Sequence, residues 1–419
     1  MSSDAQSLTA TGGRSALEPM LRFPDFIGHP VQSLHLGDVT TESTDRNGTG
    51  QALSQIMGVS KADGIVPMEE RLIGADTARY KFVRNDWFAY NPMRLNIGSI
   101  ARWQGSDGIL VSPDYVVFKC KNVGPYRLDP VYLDHFRRSD AWEEFVSEKG
   151  DGSVRVRIYY KDLARLQLAL PSFSEQQRIA DCLDSIDALI GAQACKVEAL
   201  RVHKTGLMQQ LFPQEGATQP RLRFPEFDGA GEWEPRTVGS VCASFSGGTP
   251  STSNAEFYGG EIPFIRSAEI SSDKTELSLT SAGLENSSAK MVRKGDVLVA
   301  LYGANSGDVA IARIAGAINQ AILCLRPSGS AEFLRQFLTC RKDWIIRKYL
   351  QGGQGNLSGE IVKSIKLVFP SQREQQCIAD CLTTLDDLRA GETRKLETLK
   401  THKKGLMQQL FPRLGGADA

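Results

Sequence analysis

The chain has 419 residues, 41% hydrophobic and 23% charged, and its 49 basic and 49 acidic residues give a formal net charge of zero. That composition suits a globular protein with two or more cores, and it excludes polyanion binding carried by whole-molecule charge, so a nucleic-acid face would have to be a local patch. No apolar run approaches the roughly 18 residues that span a bilayer, and the eight cysteines show no C-x-x-C pair or zinc-like histidine spacing, so neither a membrane nor a metal is expected.

Residues 1–18 lack hydrophobic periodicity and resemble neither a signal nor a transit peptide, which predicts a flexible tail on a cytoplasmic protein. Pro19-Met20-Leu21-Arg22-Phe23-Pro24-Asp25-Phe26 opens a first globular domain, 19–170, with short strands such as Tyr115–Phe118 and a helix from Pro130 to Val146. Arg94, Arg102, Arg155 and Arg157 are its candidate DNA contacts, since arginine forks suit phosphates and guanine edges. Tyr90-Asn91-Pro92-Met93 faintly resembles the Asn-Pro-Pro-aromatic element of adenine methyltransferases. It lacks the second proline and the aromatic, and no methyl-donor glycine loop precedes it, so it reads as a turn.

Residues 171–213 predict one long helix. Ser172-x-x-Glu175 matches a capping box after Pro171. The apolar residues Ile179, Leu183, Ile186, Ile190, Val197, Leu200, Leu207 and Leu211 then follow in steps of four and three, with Gln193 and Lys204 at the polar steps. That 3.5-residue period marks a coiled-coil seam. After a linker, 214–219, Pro220-Arg221-Leu222-Arg223-Phe224-Pro225-Glu226-Phe227 echoes the opening signature and starts a second domain, 220–370. Residues 371–412 then repeat the long helix, with about 25 of the 43 positions identical between Pro171–Pro213 and Pro370–Pro412, and 413–419 read as a second flexible tail.

The second helix places Ile378, Leu382, Leu385, Leu396, Leu399, Leu406 and Leu410 on the matching seam, with Glu392 and Lys403 at the polar steps. These polar positions set register or mark where a partner docks. His203 and His402 are equivalent and read as solvated. An internal duplication of this kind predicts packing about a pseudo-twofold axis, with the two long helices antiparallel.

The globular halves share landmarks: Val83-Arg84 against Val292-Arg293, Asp86 against Asp296, Asn96-x-Gly98 against Asn305-x-Gly307, and Gly108 against Gly316. The side chains around them differ. The fold class is therefore mixed α/β (α+β), one fold used twice to recognise two different things. In the second half the polar, glycine-rich runs Ser246–Asn254 and Gly352–Asn356 offer Thr249, Ser251, Asn254, Gln354 and Asn356 as candidate DNA contacts, with Arg266 and, nearby, Arg341, Arg347 and Lys348. No phosphate-binding loop, nucleophile elbow or kinase set occurs, so catalysis and a bound cofactor are not expected.

The two Pro-Ser-x-x-Glu-Gln-Gln-x-Ile-Ala-Asp-x-Leu openings, the two Lys-x-Gly-Leu-Met-Gln-Gln-Leu-Phe-Pro closings, and Gly247-Gly248-Thr249-Pro250, Ile262-Pro263-Phe264-Ile265, Gly316-Ala317-Ile318-Asn319-Gln320-Ala321 and Asn356-Leu357-Ser358 carry a resemblance. Over about residues 19–412 the chain resembles the DNA-specificity (S) subunit of type I restriction-modification systems. The resemblance implies two target-recognition domains reading an asymmetric, bipartite and gapped site in double-stranded DNA, joined by antiparallel spacer helices. It implies as partners two methyltransferase subunits and, in the full complex, two restriction/motor subunits. The seam residues Ile179, Leu183, Ile186, Leu200, Leu207, Leu211, Ile378, Leu382, Leu385, Leu399, Leu406 and Leu410 would form the spacer and the subunit-binding helices. The chain itself would be non-catalytic and bind no cofactor. Two rival readings remain: a coiled-coil adaptor presenting two protein-binding domains, and a self-contained DNA-modifying enzyme.

Overall fold

The computed structural model describes residues 19–48, 55–74, 76–122, 124, 126–148, 157–349 and 356–411. The expected terminal tails, Arg155 and Gln354 lie outside these residues. The chain divides into two compact units, residues 1–192 with 396–419 and residues 193–395. Each takes in one globular half together with a stretch of both repeated helices.

The first unit holds β1 (Gln32–His35), β2 (Thr40–Glu42), β3 (Ile56–Ser60), β4 (Gly64–Pro67), β5 (Lys81–Val83), β6 (Phe88–Tyr90), β7 (Ile100–Arg102), β8 (Ile109–Val111), β9 (Val116–Cys120) and β10 (Gln167–Leu170). They form two four-stranded sheets, ordered β2-β9-β6-β7 and β4-β3-β8-β5, and a β1-β10 ribbon. The second unit holds β11 (Glu234–Thr237), β12 (Cys242–Ser246), β13 (Tyr258–Ile265), β14 (Leu277–Leu279), β15 (Lys290–Val292), β16 (Val297–Ala300), β17 (Val309–Ile311), β18 (Gly316–Ile318), β19 (Ile322–Pro327) and β20 (Lys366–Phe369). Their orders, β12-β19-β16-β17, β14-β13-β18-β15 and β11-β20, reproduce the first unit strand for strand. Even the parallel pairing of β3 with β8 recurs, as β13 with β18. Strands such as β8 and β16 are buried along their whole length, and their unbroken apolar runs are what two covered faces require.

The other helices are α1 (Leu36–Val39), α2 (Pro130–Phe136), α3 (Asp140–Glu148), α4 (Tyr160–Leu163), then, after the long α5 (Phe173–Leu211), α6 (Val238–Val241), α7 (Ser281–Glu285), α8 (Ala331–Tyr349) and α9 (Gly359–Ser364). The single helix predicted over Pro130–Val146 is therefore two. Arg137 and Arg138 turn back to the Asp134 carboxylate, and the Ser139 carbonyl accepts the Glu143 N–H that restarts the helix. In the second unit α8 runs through without this break. The Asp86 landmark shifts by one residue. Asp86 (φ 64°) matches Gly295 (φ 97°), not Asp296, because both stand in the left-handed turn before β6 or β16 and donate their N–H to Trp103 O and Ala312 O. Glycine takes this conformation without strain, and aspartate is among the few other residues that tolerate it.

The repeated helices are α5 (Phe173–Leu211) and α10 (Gln372–Leu410), each 39 residues and so about 58 Å long at 1.5 Å per residue. Half of each predicted capping box forms: the Ser172 and Ser371 hydroxyls accept the Glu175 and Glu374 N–H groups, both at 3.3 Å. The glutamate side chains go elsewhere. Glu175 takes both arms of Arg22, at 2.8 and 2.5 Å, and Glu374 takes both arms of Arg223, each at 2.7 Å. The short Leu-Arg-Phe-Pro signature is thus the clamp on the start of each long helix. Gln176 and Gln375 complete the junction, donating to the Pro171 and Pro370 carbonyls and accepting the Asp129 and Ser330 N–H groups.

The seam positions are buried or half-buried throughout, and His203 and His402 are exposed. In the second unit Lys204 meets Asp386 at 2.6 and 2.7 Å, while Gln193, earlier on its helix, meets Glu392, later on the other. The packing there is antiparallel. In the first unit Lys403 meets Asp187, with 2.6 Å to both oxygens, and Ile179 and Leu183 share a core with Met407, Leu410 and Phe411. The polar steps of the seam therefore find matched partners, which supports a register role for them. Phe411 packs on Tyr132 and Phe136 just as Phe212 packs on Phe333 and Phe337. No helix among the described residues is long and apolar enough to cross a membrane.

Candidate nucleic-acid interface

In the first unit β6 runs into Tyr90-Asn91-Pro92-Met93-Arg94, which is a turn, as the sequence predicts. The Asn91 Oδ1 accepts the Met93 N–H at 2.9 Å, and the Asn91 carbonyl accepts the Arg94 N–H at 2.9 Å. Both Met93 and Arg94 are left exposed. The Ile158 N–H donates to the Pro92 carbonyl at 2.9 Å, which draws exposed Arg157 to the same edge. Because Tyr90 pairs with Val116, the Ser112–Tyr115 turn also ends here, held by the Tyr115 N–H on the Ser112 carbonyl.

The second unit builds the same edge with different side chains. Ala300 at the end of β16 pairs with Ile322, and the Leu357 N–H donates to the Leu301 carbonyl at 2.9 Å, bringing exposed Asn356 beside exposed Tyr302. By register, Leu301 replaces Pro92, Tyr302 replaces Met93, and Asn356 replaces Arg157. Thr249 donates its hydroxyl to Gln320 at 2.7 Å, so the glycine-rich loop after β12 closes on the turn before β19. Only glycine fits at two points of that loop: a Cβ on Gly247 would lie 1.8 Å from the Ile318 carbonyl oxygen, and one on Gly248 would lie 1.9 Å from Ser288 Oγ. Ser251 hydrogen-bonds Ser253 at 2.8 Å and stays exposed.

The structure thus gathers Arg94 with Arg157, and Thr249 with Gln320, at corresponding edges. Three other candidates are held by partners inside their own unit. Arg102 is only 11% exposed, because β7 carries it inward to Asp86 at 2.5 Å and towards Asp134 at 4.0 Å. Arg266 is held by Glu269 and Glu276, at 3.1 and 2.5 Å, and those hydrogen bonds raise its pKa further. Asn254 spends its side-chain oxygen capping the turn at Ala255–Phe257. Arg155 and Gln354 fall outside the described residues. Of the nearby basic residues, Arg341 donates to the Pro213 carbonyl, and Lys348 lies over the Trp344 ring. Met93, Tyr302 and Gln320 were missed as candidates, though pairing the two halves turn by turn points to all three.

His135, Asp184 and Asp187 bring ligand-type atoms within 4.8 Å of one another. The Lys403 ammonium on both Asp187 oxygens and the His135 bond to Asp184 at 2.8 Å make this an ion-pair network. Burial lowers the His135 pKa, more than its bond to Asp184 raises it.

Comparison with known proteins shows what this chain is similar to. Residues 230–401 match the model of the type I restriction modification DNA specificity domain. The type I restriction enzyme MjaX specificity subunit of Methanocaldococcus jannaschii is 26% identical over 350 residues, covering 80% of each chain. The EcoR124I/EcoR124II specificity subunit of Escherichia coli is 25% identical over 236 residues, 54% of this chain and 55% of that one. In fold, the chain is similar to the type I restriction-modification S subunit from M. genitalium, with a TM-score of 0.59 at 14% identity, covering 95% of this chain and all of that one. Duplicated strand order, matched helix seams and these relatives point one way: the chain is similar to type I restriction-modification DNA-specificity subunits, and its residues 230–401 match their DNA specificity domain.

Proposed function

We propose that this non-catalytic subunit reads an asymmetric, bipartite DNA site, with one half-site taken by each unit. The observation that carries the reading is the pair of matched edges. The same strand order and the same backbone bonds present Met93, Arg94 and Arg157 in one unit and Tyr302, Thr249, Gln320 and Asn356 in the other. Arginine offers charged forks to phosphate and guanine, whereas asparagine, glutamine and threonine offer neutral donor–acceptor pairs. Two such edges would select different base sequences.

The paired long helices would set the unread gap, as the spacing of two reading heads does in dimeric readers. Their outer faces would recruit the methyltransferase subunits, through which adenines in each half-site are methylated, and the complex would extend to restriction/motor subunits. Leu189 and Leu388, at equivalent places on α5 and α10 and 57% and 45% exposed, support a docking role for those faces.

The test is a genome-wide map of N6-methyladenine in cells carrying the chain with its methyltransferase. A single gapped motif should vanish when the gene is removed. Replacing residues 228–369 with another recognition domain should alter one half-site and spare the other. Alteration of both half-sites in a folded chimera would refute the division of labour.

A further inference from the structure

A cleft of about 580 Å³ in the first unit runs along the outer edge of β7, between the β3–β4 turn and the end of α2. Its charged lining is Lys61, Arg102, Arg137 and Arg138 against Asp63 and Asp134. Asp134 is divided among three guanidiniums, at 2.7 Å from Arg137, 3.3 Å from Arg138 and 4.0 Å from Arg102. Arg102 also holds Asp86, and Arg138 approaches Asp187 at 3.8 Å. Even so, the buried Nε of Arg102 has no hydrogen-bond partner, since the Asp134 oxygen at 4.0 Å is out of bonding reach. Burial, followed by the charges of Arg138 and Arg102, lowers the Arg137 pKa despite the adjacent Asp134. A buried charged donor with no acceptor calls for one from outside.

The fold does not need this charge. The corresponding cleft of the second unit is about 210 Å³ and includes Asn305, Thr339 and Lys342, the last neutralised by Asp308 at 2.5 Å. Strand and helix register place Ile311, Leu338 and Thr339 where the first unit has Arg102, Arg137 and Arg138. Cations were not required to pack either cleft.

Position favours a DNA strand as the source of the missing acceptor. A Cβ on Gly98 would lie 3.3 Å from Lys61 Cγ, so one end of the cleft adjoins the Asn91–Ser99 turn that carries Arg94. Arg102, opposite Phe88 at the start of β6, marks the far end. We propose that this cleft binds a backbone phosphodiester of duplex DNA, anchoring the strand without reading sequence. The inference rests on the DNA-reading function proposed above. Guanidinium forks recognise phosphate oxygens, and such bonds position a protein on DNA without carrying sequence information.

The test uses the full chain with its methyltransferase subunit and a labelled duplex, with affinity measured across a salt series. Lys61→Ala combined with Arg138→Gln should weaken binding and flatten the slope of log Kd against log salt by roughly 0.9 for each phosphate that is no longer neutralised. The methylated motif should stay the same, and Lys342→Ala, in the second unit's cleft, should leave the slope unchanged. Arg102→Lys, which keeps the charge but loses the fork, should weaken binding with the slope retained. Duplex binding that persists with an unaltered slope in the folded double variant would overturn the cleft assignment and leave the DNA-reading function standing. Failure of the wild-type complex to bind duplex would overturn both. Inorganic pyrophosphate provides the second arm: if it raises the wild-type melting temperature but not the variant's, while both bind duplex equally, the cleft takes a free phosphate and the backbone assignment falls.

Discussion

Removing the Asp386 carboxylate should destabilise the second unit far more than removing its twin, Asp187, destabilises the first. Asp386 accepts from Lys204 at 2.6 and 2.7 Å, from Arg335 at 3.0 Å and from Gln336 at 3.0 Å. Burial alone would raise its pKa, yet the hydrogen bonds from Lys204 and Gln336 and the charges of Lys204 and Arg335 hold it below the usual carboxylate range. Lys204, 11% exposed, has its pKa lowered by burial, with Asp386 opposing the shift. Breaking a fully buried pair costs about 3–5 kcal/mol because the remaining charge is stranded. Asp386 is 23% exposed, so water reaches the gap, and Asp386→Ala should cost about 2–3 kcal/mol. Asp187 is 36% exposed and, among the described residues, has only Lys403 at bonding distance, so Asp187→Ala should cost about 1 kcal/mol. Lys204→Met with Asp386→Leu should recover most of the loss, since it removes both charges and fills the seam. Urea unfolding of the full chain, with each unit's transition fitted separately, measures all of these. An Asp386→Ala cost no larger than that of Asp187→Ala, or a double variant as unstable as the single, would refute the reasoning.

The clamp at the second junction gives another large effect: Arg223→Gln leaves the Glu374 carboxylate, 1% exposed, without its countercharge and with the Trp233 indole N–H at 3.2 Å, and should lower the second unit's stability by about 3 kcal/mol in the same urea assay. Acid should weaken the second unit's helix seam. Hydrogen bonds from Gln193, Lys196 and Lys395 depress Glu392 from 4.5 to about 2; a depressed acid contributes stability above its unfolded pKa and loses it as pH falls through the folded one. Glu392→Gln should therefore flatten the stability profile between about pH 4.5 and 2, as followed by thermal melting. Gly247→Ala must displace the loop from Ile318, and it should abolish methylation at sites whose second half-site is intact while the chain still folds, as read by methylome and circular dichroism.

Much of the scaffold was legible because identical residues recur where identical work is done. Arg22 and Arg223, Glu175 and Glu374, Gln176 and Gln375, and Lys204 and Lys403 each make the same bond in their own unit. The 3.5-residue seam was likewise readable, because one face of each helix is covered along its length. Other features depend on partners that local pattern does not reveal. Ser-x-x-Glu looked like a complete capping box because nothing nearby shows that Arg22, far back in the chain, claims Glu175. Arg102 looked like a surface arginine because Asp86 and Asp134 reach it only through sheet pairing and the end of α2. Arg266 was more readable, since Glu269 stands three residues on, the spacing of a local ion pair. The one-residue shift at Asp86 was hidden because aspartate and glycine can both occupy a left-handed turn.

If the matched edges read DNA as proposed, they also explain how such a fold could change what it reads without ceasing to fold. The bonds that fix each edge, Ile158 N–H to Pro92 O and Leu357 N–H to Leu301 O, are backbone to backbone. They make no demand on the side chains of Met93, Arg94, Arg157, Tyr302 or Asn356, which are exposed. Substitutions at exposed positions away from structural bonds cost little stability, commonly within about 0.5 kcal/mol. Arg102 and Arg266 lack that freedom, because each is tied to carboxylates inside the unit. Under the proposed function, then, the residues free to vary specificity would be the ones whose positions are set by the main chain and whose side chains the fold leaves unused.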